Sequence, residues 1–202
     1  MTRRAPTVFV VDDDSRIRQS MHTLLGAAGI PVESYASARD FLAAYDPARP
    51  GCLLLDLRLR GEAGLELQDE LRRRKATLPI IILTAHGTVA ASVRALKAGA
   101  FEFLEKPARP STLLARIRDA LAMDESTRAA AAVRGSVEKR LARLTRRERQ
   151  VVALLVDGKT SKEIAVSLGL SVRTVEGYRA RIRLKTEVES VAELVRAVLA
   201  PA

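Results

Sequence analysis

Five short apolar runs, separated by longer segments of helical periodicity, constrain the fold of this chain more than any other feature. The runs are residues 8–11, 32–35, 52–55, 80–83 and 101–104. Most are apolar at nearly every position, which is typical of parallel strands buried on both faces. This alternation indicates an open α/β sheet, with right-handed crossovers placing helices on both faces. We therefore expect a doubly wound α/β domain with a five-stranded parallel sheet.

The residues that follow these runs are informative, because the working edge of such a sheet lies at the carboxyl ends of its strands. Asp12 and Asp13 follow the first run, Asp56 the third, Thr84 the fourth and Lys106 the fifth. Carboxylates that lie close together call for a divalent cation, and Mg²⁺ prefers oxygen ligands. A carboxylate can also be the nucleophile in phosphoryl transfer. The pattern predicts Asp56 as phosphoacceptor and Asp12 and Asp13 as metal ligands, with Thr84 bonding the phosphoryl group.

Four segments resemble the receiver domain of two-component response regulators. They are VFVVDDD at 8–14, LLLDLRLRGEAGLEL at 53–67, IIILTAHG at 80–87 and KAGAFEFLEKP at 97–107. All four occur in the order and spacing of that family. The resemblance covers a domain at about residues 6–123 and implies the strand order 2-1-3-4-5.

The resemblance implies a phosphorylation site with its metal. A sensor histidine kinase would phosphorylate Asp56. Mg²⁺ would be held by Asp13, Asp56 and the backbone carbonyl of Arg58, with Asp12 in support. An alternative for the acidic run ending at Asp14 is helix capping, which explains one acid better than three.

The resemblance also implies a conformational switch. Thr84 and Phe103 would be the switch pair, and Lys106 would contact the phosphate. Phe103 can serve at the same time as a core residue. Thr88 and Ala108 depart from the family's usual residues, and both border the surface through which receivers of this type pair.

Composition limits the classes of protein that this chain can belong to. A single cysteine, Cys52, excludes an internal disulfide and fits a reducing cytoplasm. No apolar run approaches the length of a membrane span, so we expect no membrane partner. Residues 1–124 carry a net charge of +3, whereas residues 125–202 carry +7. A basic second half indicates nucleic acid as a partner, with a merely solvated charge excess as the alternative.

Residues 124–140 form the predicted linker between two domains. The segment is rich in alanine and charge, and apolar residues recur at helical spacing from Val133 to Leu144. We expect a helical linker that can continue the last receiver helix. The same apolar residues could also form a dimer seam.

The domain at residues 141–202 is predicted to be a small all-α bundle of four helices. Capping boxes mark three helix starts, with the pairs Thr145 and Glu148, Thr160 and Glu163, and Ser190 and Glu193. The expected helices are 146–156, 161–168, 172–185 and 191–200. The short turn at 169–171 predicts a helix-turn-helix motif, and the third helix is basic enough to bind DNA in the major groove.

The segment LTRRERQVVALLVDGKTSKEIAVSLGLSVRTVEGYRARI at 144–182 is similar to the output domain of NarL/FixJ/LuxR-type regulators. The resemblance implies binding of double-stranded DNA, with the last helix as a dimerising element. The expected DNA-binding residues are Lys162, Arg173, Thr174, Glu176, Gly177, Arg179, Ala180 and Arg183. Tyr178 stands where histidine is usual. Arg183 and Leu184 stand where the family often has small or methionine residues, so the base preference of the family is not carried over.

Together the two resemblances point to a transcriptional response regulator of the FixJ-like branch. Phosphorylation would promote homodimerisation and promoter binding, and would activate transcription by RNA polymerase. One alternative is a phosphorylation-independent factor that uses the receiver only as a dimerisation module. A second is a phosphohydrolase with aspartyl-phosphate chemistry. That class usually needs an acid two residues after the nucleophile, where this chain has Arg58, so we expect no enzymatic activity.

Overall fold

A parallel sheet forms the centre of the N-terminal unit, Met1–Arg128, in the computed structural model. Its strands are β1 (Thr7–Val11), β2 (Val32–Tyr35), β3 (Gly51–Leu55), β6 (Ile80–Thr84) and β7 (Glu102–Glu105). The spatial order is β2-β1-β3-β6-β7, so the five strands follow the predicted order 2-1-3-4-5. Two short strands between β3 and β6, β4 (Arg58–Leu59) and β5 (Glu62–Ala63), form a separate antiparallel hairpin, which the sequence did not predict.

The structure describes residues 5–59, 62–85, 88–188, 190 and 192–194. The helices of the N-terminal unit are α1 (Ser15–Ala27), α2 (Ala38–Ala44), α3 (Gly64–Arg73), α4 (Val89–Lys97) and the first part of α5 (Pro110–Ala142). They divide between the two faces of the sheet because successive strand residues point to opposite sides. Phe9 packs with Phe41 of α2, whereas Val10 packs with Leu25 of α1 and Ile117 of α5.

The helix α5 is 33 residues long and contains the whole segment that the sequence assigned to a linker. Asp124, on this helix, is buried and accepts hydrogen bonds from the backbone N–H of Gly51 at 2.9 Å and from Arg128 Nε at 2.7 Å. Arg128 also donates to the carbonyls of Pro47 and Arg49, at 2.9 and 2.7 Å. The Asp124–Arg128 pair thus attaches α5 to the segment that leads into β3.

The C-terminal unit, Ala129–Ala202, is built on α6 (Arg146–Val156), α7 (Ser161–Leu168) and α8 (Val172–Thr186). Both predicted capping boxes at Thr145 and Thr160 are formed, and Gly169 ends α7 in the left-handed conformation. A common core includes Val151, Ile164 and Val175. Of the predicted fourth helix, 191–200, only 192–194 are described, and they are helical; the rest lies outside the described residues.

Within the part of the chain that the structure describes, no helix is both long and apolar enough to cross a membrane.

Candidate functional site

Two carboxylates and one ammonium meet at the carboxyl ends of the sheet. Lys106 Nζ donates to Asp12 Oδ2 at 2.6 Å and to Asp56 Oδ2 at 2.7 Å. The side chains are buried to similar degrees, with 15% of Lys106, 5% of Asp12 and 12% of Asp56 exposed. We call these three residues the Lys106 cluster.

Strand register explains why these side chains meet. β1 and β3 are neighbours, and Val11 pairs with Leu55. The next residue of each strand, Asp12 and Asp56, therefore leaves the sheet at the same level, and Asp56 N donates to the carbonyl of Val11 at 3.0 Å. This is the convergence that the alternation of strands and helices predicted.

The electrostatics of the Lys106 cluster favour a charged lysine. Burial would lower the pKa of Lys106, but its hydrogen bonds to Asp12 and Asp56 outweigh burial and raise the pKa above its ordinary value. Lys106 is therefore a permanent cation at neutral pH, directly beside the predicted phosphoacceptor.

Two of the three consecutive acids after β1, Asp12 and Asp14, have different surroundings. Asp14 is the N-cap of α1 and accepts from Arg16 N at 2.8 Å. Its hydrogen bonds to the Arg16 side chain and backbone lower its pKa to about 2. Asp12 is buried in the Lys106 cluster, and its Oδ1 accepts from Asp14 N at 2.9 Å. The capping explanation thus applies to Asp14, while Asp12 has a different environment.

The predicted switch residues lie on the adjoining strands. Thr84, the last residue of β6, is fully buried, and its carbonyl accepts from Lys106 N at 2.9 Å. Phe103, on β7, is half-buried and packs against the core cluster that contains Phe9 and Phe41. Phe103 therefore contributes to the core in this conformation.

The oxygen donors fit Mg²⁺ in chemical type. Asp12 and Asp56 already share one cation, the Lys106 ammonium, and carboxylate oxygens are the ligands that Mg²⁺ prefers. Arg58 N donates to Asp56 Oδ1 at 3.0 Å, so the residue expected to offer its carbonyl is bonded to the phosphoacceptor through its own N–H. Among the described residues, however, no group of three or more His, Cys, Asp or Glu side chains lies close enough to hold a metal. Asp13 therefore does not join Asp12 and Asp56 in such a group here.

Gly64 is a residue of this site that the sequence reasoning missed. A Cβ atom on Gly64 would lie 2.3 Å from the carbonyl oxygen of Asp56 and 2.8 Å from Leu57 Cα. Gly64 N also donates to the carbonyl of Leu57 at 2.9 Å. The first residue of α3 thus packs directly on the backbone that carries Asp56, which leaves no space for a side chain. The sequence signal that could have revealed this contact was Gly64 itself, which lies eight residues after the phosphoacceptor within the segment 53–67.

The basic helix α8 has one buried and one exposed side. Val175 and Ile182 are buried in the core of the C-terminal unit. Seven of the eight predicted DNA-binding residues are exposed on α8 or at the start of α7. One of the seven, Thr174, forms a hydrogen bond with Ser171, the N-cap of α8. The other six are Lys162, Arg173, Glu176, Gly177, Ala180 and Arg183. The eighth, Arg179, is half-buried and donates to Ser161 Oγ of α7 at 2.6 Å.

Other basic residues of α8 are engaged within the unit. Lys185 Nζ donates to Glu148 Oε2 of α6 at 2.7 Å, and the Arg181 guanidinium lies 4.7 Å from the centre of the Tyr178 ring. Burial would raise the pKa of Glu148, but hydrogen bonds from Lys185 and Thr145 lower it below its ordinary value. Lys185 therefore belongs to the fold of the unit, and the exposed arginines carry its outward positive charge.

Two family models match the chain. Residues 8–118 match the response regulator receiver domain, and residues 142–198 match the bacterial regulatory proteins of the luxR family.

Known proteins resemble the chain over nearly its whole length. FixJ of Azorhizobium caulinodans is 43% identical over 95% of this chain and 91% of that protein. TdiR of Thauera aromatica is 40% identical over 98% and 87%. The solved structure of the response regulator StyR aligns with a TM-score of 0.88 at 42% identity, over 96% of this chain and 98% of StyR. Full-length FixJ from B. japonicum aligns with a TM-score of 0.59 at 38% identity, over 96% of each chain.

The receiver fold, the Lys106 cluster at its working edge, the basic helix-turn-helix and these relatives agree. The chain belongs to the NarL/FixJ-type response regulators, two-component transcription regulators that join a receiver to a LuxR-type DNA-binding domain.

Proposed function

We propose that a sensor histidine kinase phosphorylates this regulator on Asp56, and that phosphorylation promotes homodimerisation and binding to promoter DNA in the cytoplasm. The bound dimer would then activate transcription by RNA polymerase. The observation that carries the proposal is the Lys106 cluster, in which a charged ammonium lies 2.7 Å from Asp56 Oδ2.

The phosphotransfer step follows from the chemistry of these side chains. A carboxylate oxygen of Asp56 attacks the phosphorus of the kinase phosphohistidine, so that a P–O bond forms as the P–N bond breaks. The imidazole nitrogen leaves with the electron pair. Lys106 then contacts a phosphoryl oxygen, and the Thr84 hydroxyl donates to another.

On metal binding, Asp13 would have to join Asp56 and the Arg58 carbonyl as a ligand of Mg²⁺, with Asp12 in support. When bound, the ion neutralises charge on the phosphoryl oxygens. Asp12 and Asp56 already bind one positive group, since both accept a hydrogen bond from the Lys106 ammonium.

An exposed apolar row on α4 supports pairing of receivers. Val89, Val93 and Leu96 recur at helical spacing, with 81%, 43% and 47% of each residue exposed. Burying such a row between two copies would remove apolar surface from water. Two paired chains would present two copies of α8 to half-sites about one helical turn apart.

Phosphorylation-dependent binding is tested with the full chain, treated with acetyl phosphate and Mg²⁺, and with its Asp56→Asn variant. We expect the treatment to increase both the dimer fraction of the wild type, measured by analytical ultracentrifugation, and its affinity for DNA. Asp56→Asn should show neither increase. Asp14→Asn is the matched control, because Asp14 lies at the same edge but caps α1, and asparagine caps helices equally well. An Asp56→Asn chain that responds like wild type would instead favour phosphorylation-independent regulation.

A further inference from the structure

A carboxylate lies among the exposed basic residues of α8. Glu176 is exposed, with 51% of its side chain accessible. Its Oε1 accepts a hydrogen bond from the Ser161 hydroxyl of α7, and Arg179 Nη1 lies 3.7 Å from the same oxygen. Arg179 also donates to Ser161 Oγ at 2.6 Å. We call Ser161, Glu176 and Arg179 the Glu176 network.

The Glu176 network holds one carboxylate oxygen and leaves the other available. Among the residues that the structure describes, only Oε1 of Glu176 is bonded. One contact comes from α7 and the other from α8. Because the two helices pack in one core, together these contacts restrict the rotamer of Glu176. Oε2 is thereby presented as a fixed hydrogen-bond acceptor.

The sign of the charge limits what Glu176 can contact. A carboxylate is repelled by the phosphate backbone, so an acidic residue on a DNA-binding helix cannot serve as a phosphate contact. Arg179 offsets part of this repulsion. If α8 enters the major groove, the partners left for Oε2 are hydrogen-bond donors on base edges.

The position of Glu176 on α8 suits contact with bases. It is the fifth residue of the helix, and the N-terminal residues of a recognition helix contact base edges in this motif. The neighbouring exposed positions are small: Gly177 has no side chain, a Cβ there would meet nothing within 4 Å, and Ala180 is exposed. The helix backbone can therefore approach the groove closely beside Glu176.

The major groove offers two amino donors, N4 of cytosine and N6 of adenine. Adenine is read by amide side chains, which donate to N7 while accepting from N6, and a carboxylate has no donor for N7. Cytosine offers the amino donor that glutamate accepts.

We propose that Glu176 is a specificity-determining residue that accepts a hydrogen bond from the N4 amino group of a cytosine in each half-site. Ser161 and Arg179 are positioning residues that hold its carboxylate. The inference rests on the proposed DNA binding by α8 and adds the base pair that this helix reads.

The first test selects binding sites from a randomised duplex library with the acetyl phosphate-treated full chain. We expect the wild type to select cytosine at one position of each half-site. Glu176→Ala loses the preference at that position alone, and Glu176→Gln changes it to adenine. Glu187→Gln is the matched control, since it removes the same charge from the exposed C-cap of α8 and leaves the selected sequence unchanged.

The second test removes the N4 amino group itself, by replacing that cytosine with 2-pyrimidinone in the selected duplex. We expect the wild type to lose affinity about 5- to 150-fold, the range of a single lost base contact. Glu176→Ala should lose much less. Ser161→Ala should lower discrimination at this position while its affinity for random duplex DNA and its salt dependence stay unchanged, which a purely structural role of Ser161 would not produce.

Any one of three results would overturn the inference. The wild type could select adenine at this position, or Glu176→Ala could keep the preference for cytosine. The third is that 2-pyrimidinone lowers the affinity of the wild type and of Glu176→Ala equally. If no sequence is selected even by the wild type, the failure lies instead with the proposed site-specific DNA binding.

Discussion

Glu148 shows how much a single buried carboxylate can control in a small helical unit. It closes the capping box of α6 and bonds Lys185 of α8, and only 2% of the residue is exposed. Because Glu148 is buried while Lys185 is only half-buried, removing Lys185 would leave a buried charge without its partner, which is costly. This contact joins α6 to α8, the helix that carries most of the predicted DNA-binding residues.

The stability of the C-terminal unit should therefore depend on pH through Glu148. Its pKa is lower in the folded than in the unfolded chain, so the folded state binds fewer protons. The stabilisation is fully present above the unfolded pKa, about 4.3, and is lost as the pH falls through the folded value. Urea unfolding at several pH values should show a smaller loss below pH ~4.3 for Glu148→Gln than for wild type. Glu163→Gln, in the exposed capping box of α7, should change the pH dependence less.

Gly64 is the second residue with a measurable role. We expect Gly64→Ala to lower the unfolding free energy by about 1–3 kcal/mol, because the new Cβ would overlap the Asp56 carbonyl. The rate of phosphorylation by acetyl phosphate should fall as well. Gly26→Ala is the control: Gly26 lies in α1 with open space around its Cβ, so alanine should stabilise the helix by up to about 1 kcal/mol. Equal stability of the two variants would contradict the steric explanation.

The sequence predicted an element well where its signal is local, that is, where a helix is capped by its own residues or a strand is an apolar run. The capping boxes at Thr145 and Thr160 start α6 and α7 where predicted. The last strand is displaced by one residue from the apolar run 101–104, since β7 is only partly buried and its pattern is weak. The β4–β5 hairpin was missed because each strand has two residues, too few for any periodicity.

Long-range contacts of charged side chains could not be predicted in the same way. Glu148 and Lys185 are 37 positions apart, and Ser161 and Arg179 are 18 apart. Nothing in the local pattern of α8 distinguishes Lys185, which is engaged in the fold, from Arg183, which is exposed. By contrast, the meeting of Asp12, Asp56 and Lys106 was predictable, because parallel strands align their carboxyl ends.

The apolar row of α4 carries a prediction about self-association. Val89→Asp should leave folding and phosphorylation intact, since 81% of Val89 is exposed, but should lower the fraction of dimer in the phosphorylated chain. Sedimentation velocity measures this directly. Val166→Asp, at an equally exposed valine of α7 (85%), should leave the dimer fraction unchanged. Unchanged association in the Val89 variant would place the dimer contact elsewhere.

For the molecule as a whole, α5 is the element that belongs to both units. Asp124 Oδ1 is buried and lacks a hydrogen-bond partner among the described residues, so Oδ2, bonded to Gly51 and Arg128, holds the attachment. The sequence alone could not reveal this contact, because Gly51 and Asp124 lie 73 positions apart.

We expect Arg128→Ala to lower the unfolding free energy of the receiver by about 2 kcal/mol, since hydrogen bonds that involve a charged group contribute about 1.5–3 kcal/mol. Thermal unfolding of the full chain, monitored by calorimetry, measures the effect on the N-terminal unit. Arg134→Ala, at an exposed position of the same helix, should have little effect. A matching loss in both variants would contradict the role given to the Arg128 hydrogen bonds, because helix propensity alone favours alanine over arginine.

The Asp124–Arg128 pair also determines where this protein can be divided. The receiver family model ends at residue 118, yet both residues that bond the start of β3 lie beyond that point. A chimeric regulator that joins this receiver to a foreign output domain at residue 118 would leave the Gly51 N–H and the Arg49 carbonyl without their partners. A junction after Arg128 keeps them, so chimeras joined there should be the ones that retain a stable receiver.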